Sequence, residues 1–274
     1  MTANTPALWI DRIPRVDSHS NKYTRGHAVV LGGYPMTGAA RLAARACARI
    51  GAGLTTILVE PRALDVYAKQ LESIMVRAIT DEHDLVGVLQ DPRISAILSG
   101  PGLGISPRTK SFVTQVVMAK RPVVLDADAL TSFAEDPAEL IDRLHCDCVL
   151  TPHEGEFSRV FDVAGSREDR ARGAALRSGA VVLLKGSETV IASPTGDLVI
   201  NPPASPHLAT AGSGDVLAGL ITGLLAQGMA PFDAACAGVW VHSEIGKRLG
   251  IGMIADDMPE DIPRVRRLLS NAPN

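Results

Sequence analysis

Aromatic side chains are scarce: two Trp, three Tyr and five Phe make up 4% of the 274 residues. A surface that binds nucleic acid needs stacking rings and a positive stripe. This shortage, with a net charge of −3, argues against that role. No 18-residue apolar stretch runs free of polar breaks, which argues against a membrane helix. The first 26 residues carry Asp, Arg, Asn and Pro throughout and lack the apolar core of a secretory leader. Cysteines number four. Cys47 and Cys236 sit in Ala-rich helical patterns, where Cys acts as a small apolar residue. Cys146 and Cys148 form C-x-C without the partner pair of a zinc site. The compartment expected from this usage is the reducing cytoplasm.

What the chain does have is a 46% apolar fraction, ample for one large core. Short β-branched runs alternate with helical patterns. The runs are His27 to Leu31, Leu54 to Val59, Ile94 to Leu98, Pro122 to Leu125, Cys148 to Leu150 and Ala180 to Leu184. They are apolar on both faces, as in a parallel sheet covered by helices on both sides. The fold class predicted is therefore α/β, three layers around a mostly parallel sheet. Helices are predicted over Ala39 to Ile50, Val216 to Gln227, Pro231 to about Leu249 and Asp257 to Leu269. Gly219 and Gly223 would let a neighbour lie close to the second of these. Thr189 to Ser193 and Leu198 to Ile200, around Pro194 to Asp197, read as a hairpin. Arg167, Arg170, Arg172 and Arg177 lie on a mixed-charge helix, expected to be a solvated face. No linker or repeat divides residues 1–274, so a single domain is expected.

Most strands end in glycines or polar residues, at the edge where such sheets bind ligands. The strongest signal lies further on, in Ala211-Gly212-Ser213-Gly214-Asp215 followed by the apolar run from Val216. A helix start offers unpaired N–H groups and a partial positive charge, which suit an anion. Gly212, Ser213 and Gly214 are thus candidate anion-hole residues. Asp215 is either an acid favoured by the helix terminus or a base that takes a proton from an attacking hydroxyl. Lys185-Gly186 can be a plain strand end and turn. His153 can be an ordinary loop histidine, and Glu156 a first-turn helix residue. Asp126 and Asp128 stand two apart beyond a strand, able to bind magnesium or a substrate hydroxyl. Asp128 can equally cap the next helix.

The run Asn201-Pro202-Pro203 through Thr210 to Gly219 resembles the carboxyl-terminal signature of ADP- or ATP-dependent NAD(P)H-hydrate dehydratases, of the ribokinase-like superfamily. Six further segments match the same family in its own order. They are Lys22 to Gly26, Met36 to Ala40, Gly100 to Gly104, Leu125 to Leu130, Thr151 to Glu156 and Lys185 to Thr189. The resemblance covers almost the whole chain. It implies dehydration of NADH or NADPH hydrated at C6 of the nicotinamide, at the expense of ADP or ATP with Mg2+. Asp215 would be the catalytic base. Ala39, Gly102, Gly104, His153 and Asp215 would contact the substrate. Lys185, Gly186, Ser187, Glu188, Thr189 and Gly214 would bind the nucleotide. Glu156 resembles the superfamily's Asn-x-x-Glu element, which organises magnesium through water, with His153 standing in the Asn position. Asp126 is the second candidate magnesium residue. A homotetramer is implied, with any NAD(P)H-hydrate epimerase expected as a separate protein. A vitamin-precursor or sugar kinase of the same superfamily is the main alternative.

Overall fold

The computed structural model describes residues 2–270. Among the described residues, ten strands form one sheet: β1 (Thr2–Ala3), β2 (His27–Leu31), β3 (Leu54–Val59), β4 (Met75–Ala78), β5 (Ile94–Ser99), β6 (Val123–Leu125), β7 (Cys148–Leu150), β8 (Val181–Leu184), β9 (Thr189–Ala192) and β10 (Leu198–Asn201). Their order is β1-β10-β9-β8-β7-β6-β5-β2-β3-β4. From β4 across to β8 every pairing is parallel. The hairpin predicted from Pro194 to Asp197 is present, and β9 runs antiparallel to both β8 and β10.

The helices are α1 (Thr37–Ile50), α2 (Leu64–Ala68), α3 (Glu82–Leu89), α4 (Pro107–Met118), α5 (Asp128–Thr131), α6 (Pro137–Ile141), α7 (Glu154–Val160), α8 (Arg167–Ser178), α9 (Ser213–Ala226), α10 (Pro231–Leu249) and α11 (Met258–Ser270). Alternate strand residues feed two cores. Val30, Leu98, Val124 and Leu183 face α1, α9, α10 and α11. Val29, Ile97, Leu125 and Val182 face α3, α4, α7 and α8. This is the layering expected when a strand is apolar on both faces. No described helix is long and apolar enough to cross a membrane.

Helix α9 is buried nearly all round, from Val216 to Ala226. It lies on α1 through small residues on both sides. A Cβ on Gly219 would fall 2.2 Å from the Ala43 carbonyl oxygen, so the two backbones touch there. That contact sets the depth of α9 and therefore the position of its first turn.

Two strands escape the sequence pattern. β4 lies at the sheet's edge, with Met75 exposed and Arg77 on the same side, so it lacks an apolar run. β1 is two residues long and is held by side chains instead. Asn4 donates to the Asn201 side chain (2.9 Å) and the Cys236 carbonyl (2.8 Å), and accepts from the Trp9 indole.

The expectation of a wholly solvated α8 is corrected. Arg172 and Arg177 are exposed, but Arg167 and Arg170 are half-buried. Arg167 donates to the carbonyls of Leu184 and Lys185 at the end of β8, and both arginines pair with Glu154. The carbonyls that end β8 need donors, and the flexible Arg167 side chain reaches them from the helix packed beside that strand.

Candidate active site

The parallel strands change winding direction between β2 and β5: β3 and β4 follow on one side, β6 to β8 on the other. Open α/β sheets bind ligands at the carboxyl edge of such a switch point. Here the loop after β2 meets the loop after β5. A Cβ on Gly33 would fall 1.6 Å from the Gly102 carbonyl oxygen, and only glycine permits that approach. Gly102 in turn packs on the Met36 carbonyl and the Ala39 side chain. Ala39 and Gly102 are therefore brought together. Gly104 lies at the loop's outer end, where its N–H donates to Asp128 (2.8 Å). Asp128 does not cap α5 with its side chain; it is the first residue of that helix and its carboxylate pins the glycine loop.

Further along the edge, four charged groups converge beyond β6, β7, β8 and the start of α9. The Lys185 Nζ stands 2.8 Å from the Asp126 Oδ1 and 3.9 Å from the Glu156 Oε2. Asp126 and Glu156 are both buried. The residue after Asp126, Ala127, has φ +50°, a strained conformation for a residue with a Cβ. Lys185 is fixed at its backbone too: its N–H donates to Pro152 (2.8 Å), and it pairs in register with His153.

His153 caps α7 rather than sitting in a plain loop. Its Nδ1 accepts from the Glu156 N–H (3.2 Å), while the Glu156 carboxylate accepts from the His153 N–H (2.9 Å). This reciprocal box holds Glu156 toward Lys185 and leaves the His153 ring half exposed.

Helix α9 brings the acid. Gly212, at φ +88°, precedes the first turn, and no side chain caps that turn. The anion hole expected at Gly212, Ser213 and Gly214 is corrected at Ser213, whose N–H already donates to the Thr210 carbonyl (3.3 Å). The amides of Gly214 and Asp215 have no intrahelical acceptor, so they are open to an anion. A Cβ on Gly214 would lie 3.6 Å from the Lys185 ammonium, so cation and amides face one space. Asp215 is half-buried, and its pKa is raised to about 6 by burial first and then by the Asp126 charge, with Lys185 opposing. Burial alone would lower the Lys185 pKa. Asp126, Glu156 and Asp215 more than reverse this, so the ammonium is held charged.

Residues Gly186, Ser187 and Glu188 form an exposed turn between β8 and β9, one side of which is the Arg167 guanidinium. Thr189 is buried as the first residue of β9, paired with Asn201.

Sequence reasoning overlooked His242. It is buried on α10, with Nε2 2.9 Å from the Ser213 Oγ and 3.0 Å from the Ser213 carbonyl oxygen. Burial lowers its pKa to about 4, so the imidazole is neutral and Nε2–H serves Ser213. The signal was a single histidine inside an otherwise apolar helical pattern.

Among the described residues, one set of three side chains could close on a metal: Asp81, His83 and Asp84. All three are exposed, and the two carboxylates accept backbone N–H groups at the start of α3. Asp126 and Glu156 do not join such a set. As buried carboxylates they offer the hard oxygens that Mg2+ takes, and Mg2+ commonly keeps several waters. Lys185 lies closer to Asp126 (2.8 Å) than to Glu156 (3.9 Å), which leaves Glu156 the freer of the two to accept from a metal-bound water.

Residues 28–264 match the family model for NAD(P)H-hydrate dehydratase. The chain is 40% identical over 273 residues to the bifunctional NAD(P)H-hydrate repair enzyme Nnr of Salinibacter ruber, covering 92% of this chain and 50% of that protein. It spans about half the length of the curated relatives it matches. An ADP/ATP-dependent NAD(P)H-hydrate dehydratase of Bacillus subtilis, co-crystallised with ATP and Mg2+, superposes with a TM-score of 0.84 at 28% identity over 98% of each chain. A ribokinase-like superfamily protein of Enterococcus faecalis shares the fold, with a TM-score of 0.85 at 24% identity over 98% of this chain and 96% of its own. The motifs and the shared fold lead to one conclusion: the chain belongs to the NAD(P)H-hydrate dehydratase family.

Proposed function

We propose that this chain dehydrates NADH or NADPH that has gained water at C6 of the nicotinamide, consuming ADP or ATP. The observation that carries the reading is Asp215, an acid with its pKa near 6, placed beside open helix amides and the Lys185 ammonium.

Asp215 takes the proton of the C6 hydroxyl as that oxygen attacks the terminal phosphorus. The new O–P bond forms and the nucleotide's bridging P–O bond breaks, releasing AMP from ADP or ADP from ATP. The Gly214 and Asp215 amides hold the charge on the transferring group; such preorganised donors are commonly the largest catalytic contribution. The C6–O bond then breaks with the ring nitrogen supplying the electron pair, and phosphate leaves with the oxygen. Loss of a proton from C5 restores the dihydropyridine. Phosphate is a far better leaving group than hydroxide, which explains a kinase fold in a dehydratase.

Lys185, locked by Asp126, holds the phosphate end positive. Ala39, Gly102, Gly104 and His153 would border the substrate, and the turn from Lys185 to Thr189 with Gly214 the nucleotide. Glu156 is the residue that would hold Mg2+, which when bound supplies charge neutralisation at the phosphates. The B. subtilis structure with ATP and Mg2+ supports nucleotide and metal use. The relatives are bifunctional, which supports action alongside an NAD(P)H-hydrate epimerase. Resemblance also supports a homotetramer working in the cytoplasm.

The test follows reduced-nicotinamide absorbance after mixing the protein with hydrated NADH and each nucleotide. Recovery of absorbance with stoichiometric phosphate release is expected. Absence of recovery, with stable phosphorylation of a vitamin precursor or sugar instead, would hand the assignment to a small-molecule kinase.

A further inference from the structure

We propose that the cleft between the carboxyl ends of β2, β3 and β4 and the first turn of α4 binds the adenosine end of the dinucleotide substrate, with Arg62 and Arg108 meeting its phosphates. This rests on the hydrate reading above and names the part of the substrate remote from the chemistry.

The cleft is open to solvent and encloses about 170 Å3, room for one flat group rather than for a whole dinucleotide. Its floor is apolar, built from Leu31, Leu58 and Phe112. Two guanidinium groups lie on two rings at its rim. Arg62 stands 5.0 Å from the centre of the Tyr34 ring, and Arg108 stands 4.7 Å from that of Phe112. Arg62 is shared with Glu60 at 2.6 Å. Arg108 reaches the Ile79 carbonyl at 3.4 Å and, among the described residues, pairs with no carboxylate. An apolar floor accepts a flat base, the guanidinium planes lying on the rings can stack against it, and the uncompensated one accepts a phosphate.

The cleft joins the site already described. Gly33 and Leu103 line it, and Gly33 touches Gly102, which packs on Ala39. One loop therefore walls both spaces. Three strand spacings separate β3 from β6, roughly 14 Å at about 4.8 Å each. A molecule with a reactive ring near Asp215 and a second nucleoside at the other end of a pyrophosphate suits that separation. The nucleotide co-substrate is assigned to the β8–β9 turn, on the opposite side of Asp126, and leaves the cleft free. A rival groove between α1 and α2 carries Arg41 and Arg45, but Arg45 is already paired with Glu260 at 2.5 Å.

The experiment compares wild type with Arg62→Ala, Arg108→Ala and Arg41→Ala on three substrates. These are hydrated NADPH, hydrated NADH and the hydrated reduced mononucleotide, which lacks the adenosine half. Arg108→Ala should raise KM for both dinucleotides by about tenfold, the scale of one charged hydrogen bond, with kcat kept. Arg62→Ala should raise it less, and neither should change KM for the mononucleotide. Arg41→Ala should match wild type. Binding of adenosine 2′,5′-bisphosphate, measured with ADP saturating, should weaken in Arg108→Ala. Equal penalties on all three substrates, unchanged dinucleotide KM in both cleft variants, or an effect carried by Arg41→Ala would overturn the subsite. So would failure of the bisphosphate to bind wild type. If wild type turns over no hydrate, the activity reading fails, while the bisphosphate measurement still decides the cleft.

Discussion

As the proposed base, Asp215 governs the expected pH behaviour. Only its ionised form can take a proton, so kcat/KM should rise with pH through about 6 and then level off. A flat profile from pH 5 to 8 would remove the base. Asp215→Asn should keep ADP affinity and lose at least roughly 100-fold in kcat. The same shift has a stability consequence. A carboxyl whose folded pKa is raised favours the fold below its ordinary 3.8, and that contribution is lost as pH rises through about 6. Asp215→Asn should therefore unfold at a higher temperature than wild type at pH 8, read by calorimetry. His242 has the opposite sign. Its depressed pKa gives stability that is present above 6.5 and lost as pH falls toward about 4. His242→Leu should lower kcat by about 10-fold or more by loosening the donors at the start of α9. His242→Gln, which keeps a donor, should recover most of it. Equal activity in the Leu variant would reduce His242 to packing. Asp215 was legible because glycines flank it ahead of an apolar helix. His242 was not, because its partner Ser213 is 29 residues away and a lone histidine looks like any core residue.

Among the elements, the α1–α9 pair is where sequence and structure agree most closely. Small residues at helical spacing foretold a close approach, and Gly219 against Ala43 is that approach. Gly219→Ala should cost roughly 1–3 kcal/mol by overpacking, read from denaturant unfolding. Because α9 carries Asp215, the same variant should also lose turnover. The central strands were legible because burial on both faces leaves an unbroken β-branched run. β4 was not, because an edge strand needs no such run. The role of Arg167 was hidden for a related reason. A long side chain that snorkels to the end of β8 has the same local pattern as one in water.

At the scale of the molecule, the sheet gathers residues from Gly33 to Asp215 onto one edge, and order along the chain hides that gathering. The switch between β2 and β5 follows from pairings that no single segment encodes. A ligand bound across this edge ties several layers together. ADP at 100 times its Kd should stabilise the fold by about 2.7 kcal/mol, seen as a rise in Tm. Asn4→Ala should destabilise it by roughly 1–3 kcal/mol, because partners of a buried amide are left unpaired.

That amide has a longer reach than its place near the start suggests. Asn4 holds Asn201, Asn201 donates to the Ser243 hydroxyl, and Ser243 adjoins the histidine that grips the first turn of α9. Trimming a handful of leading residues to obtain a tidier protein would thus unhook a tether running to the proposed site, and the shortened protein should lose the proposed turnover before it visibly unfolds.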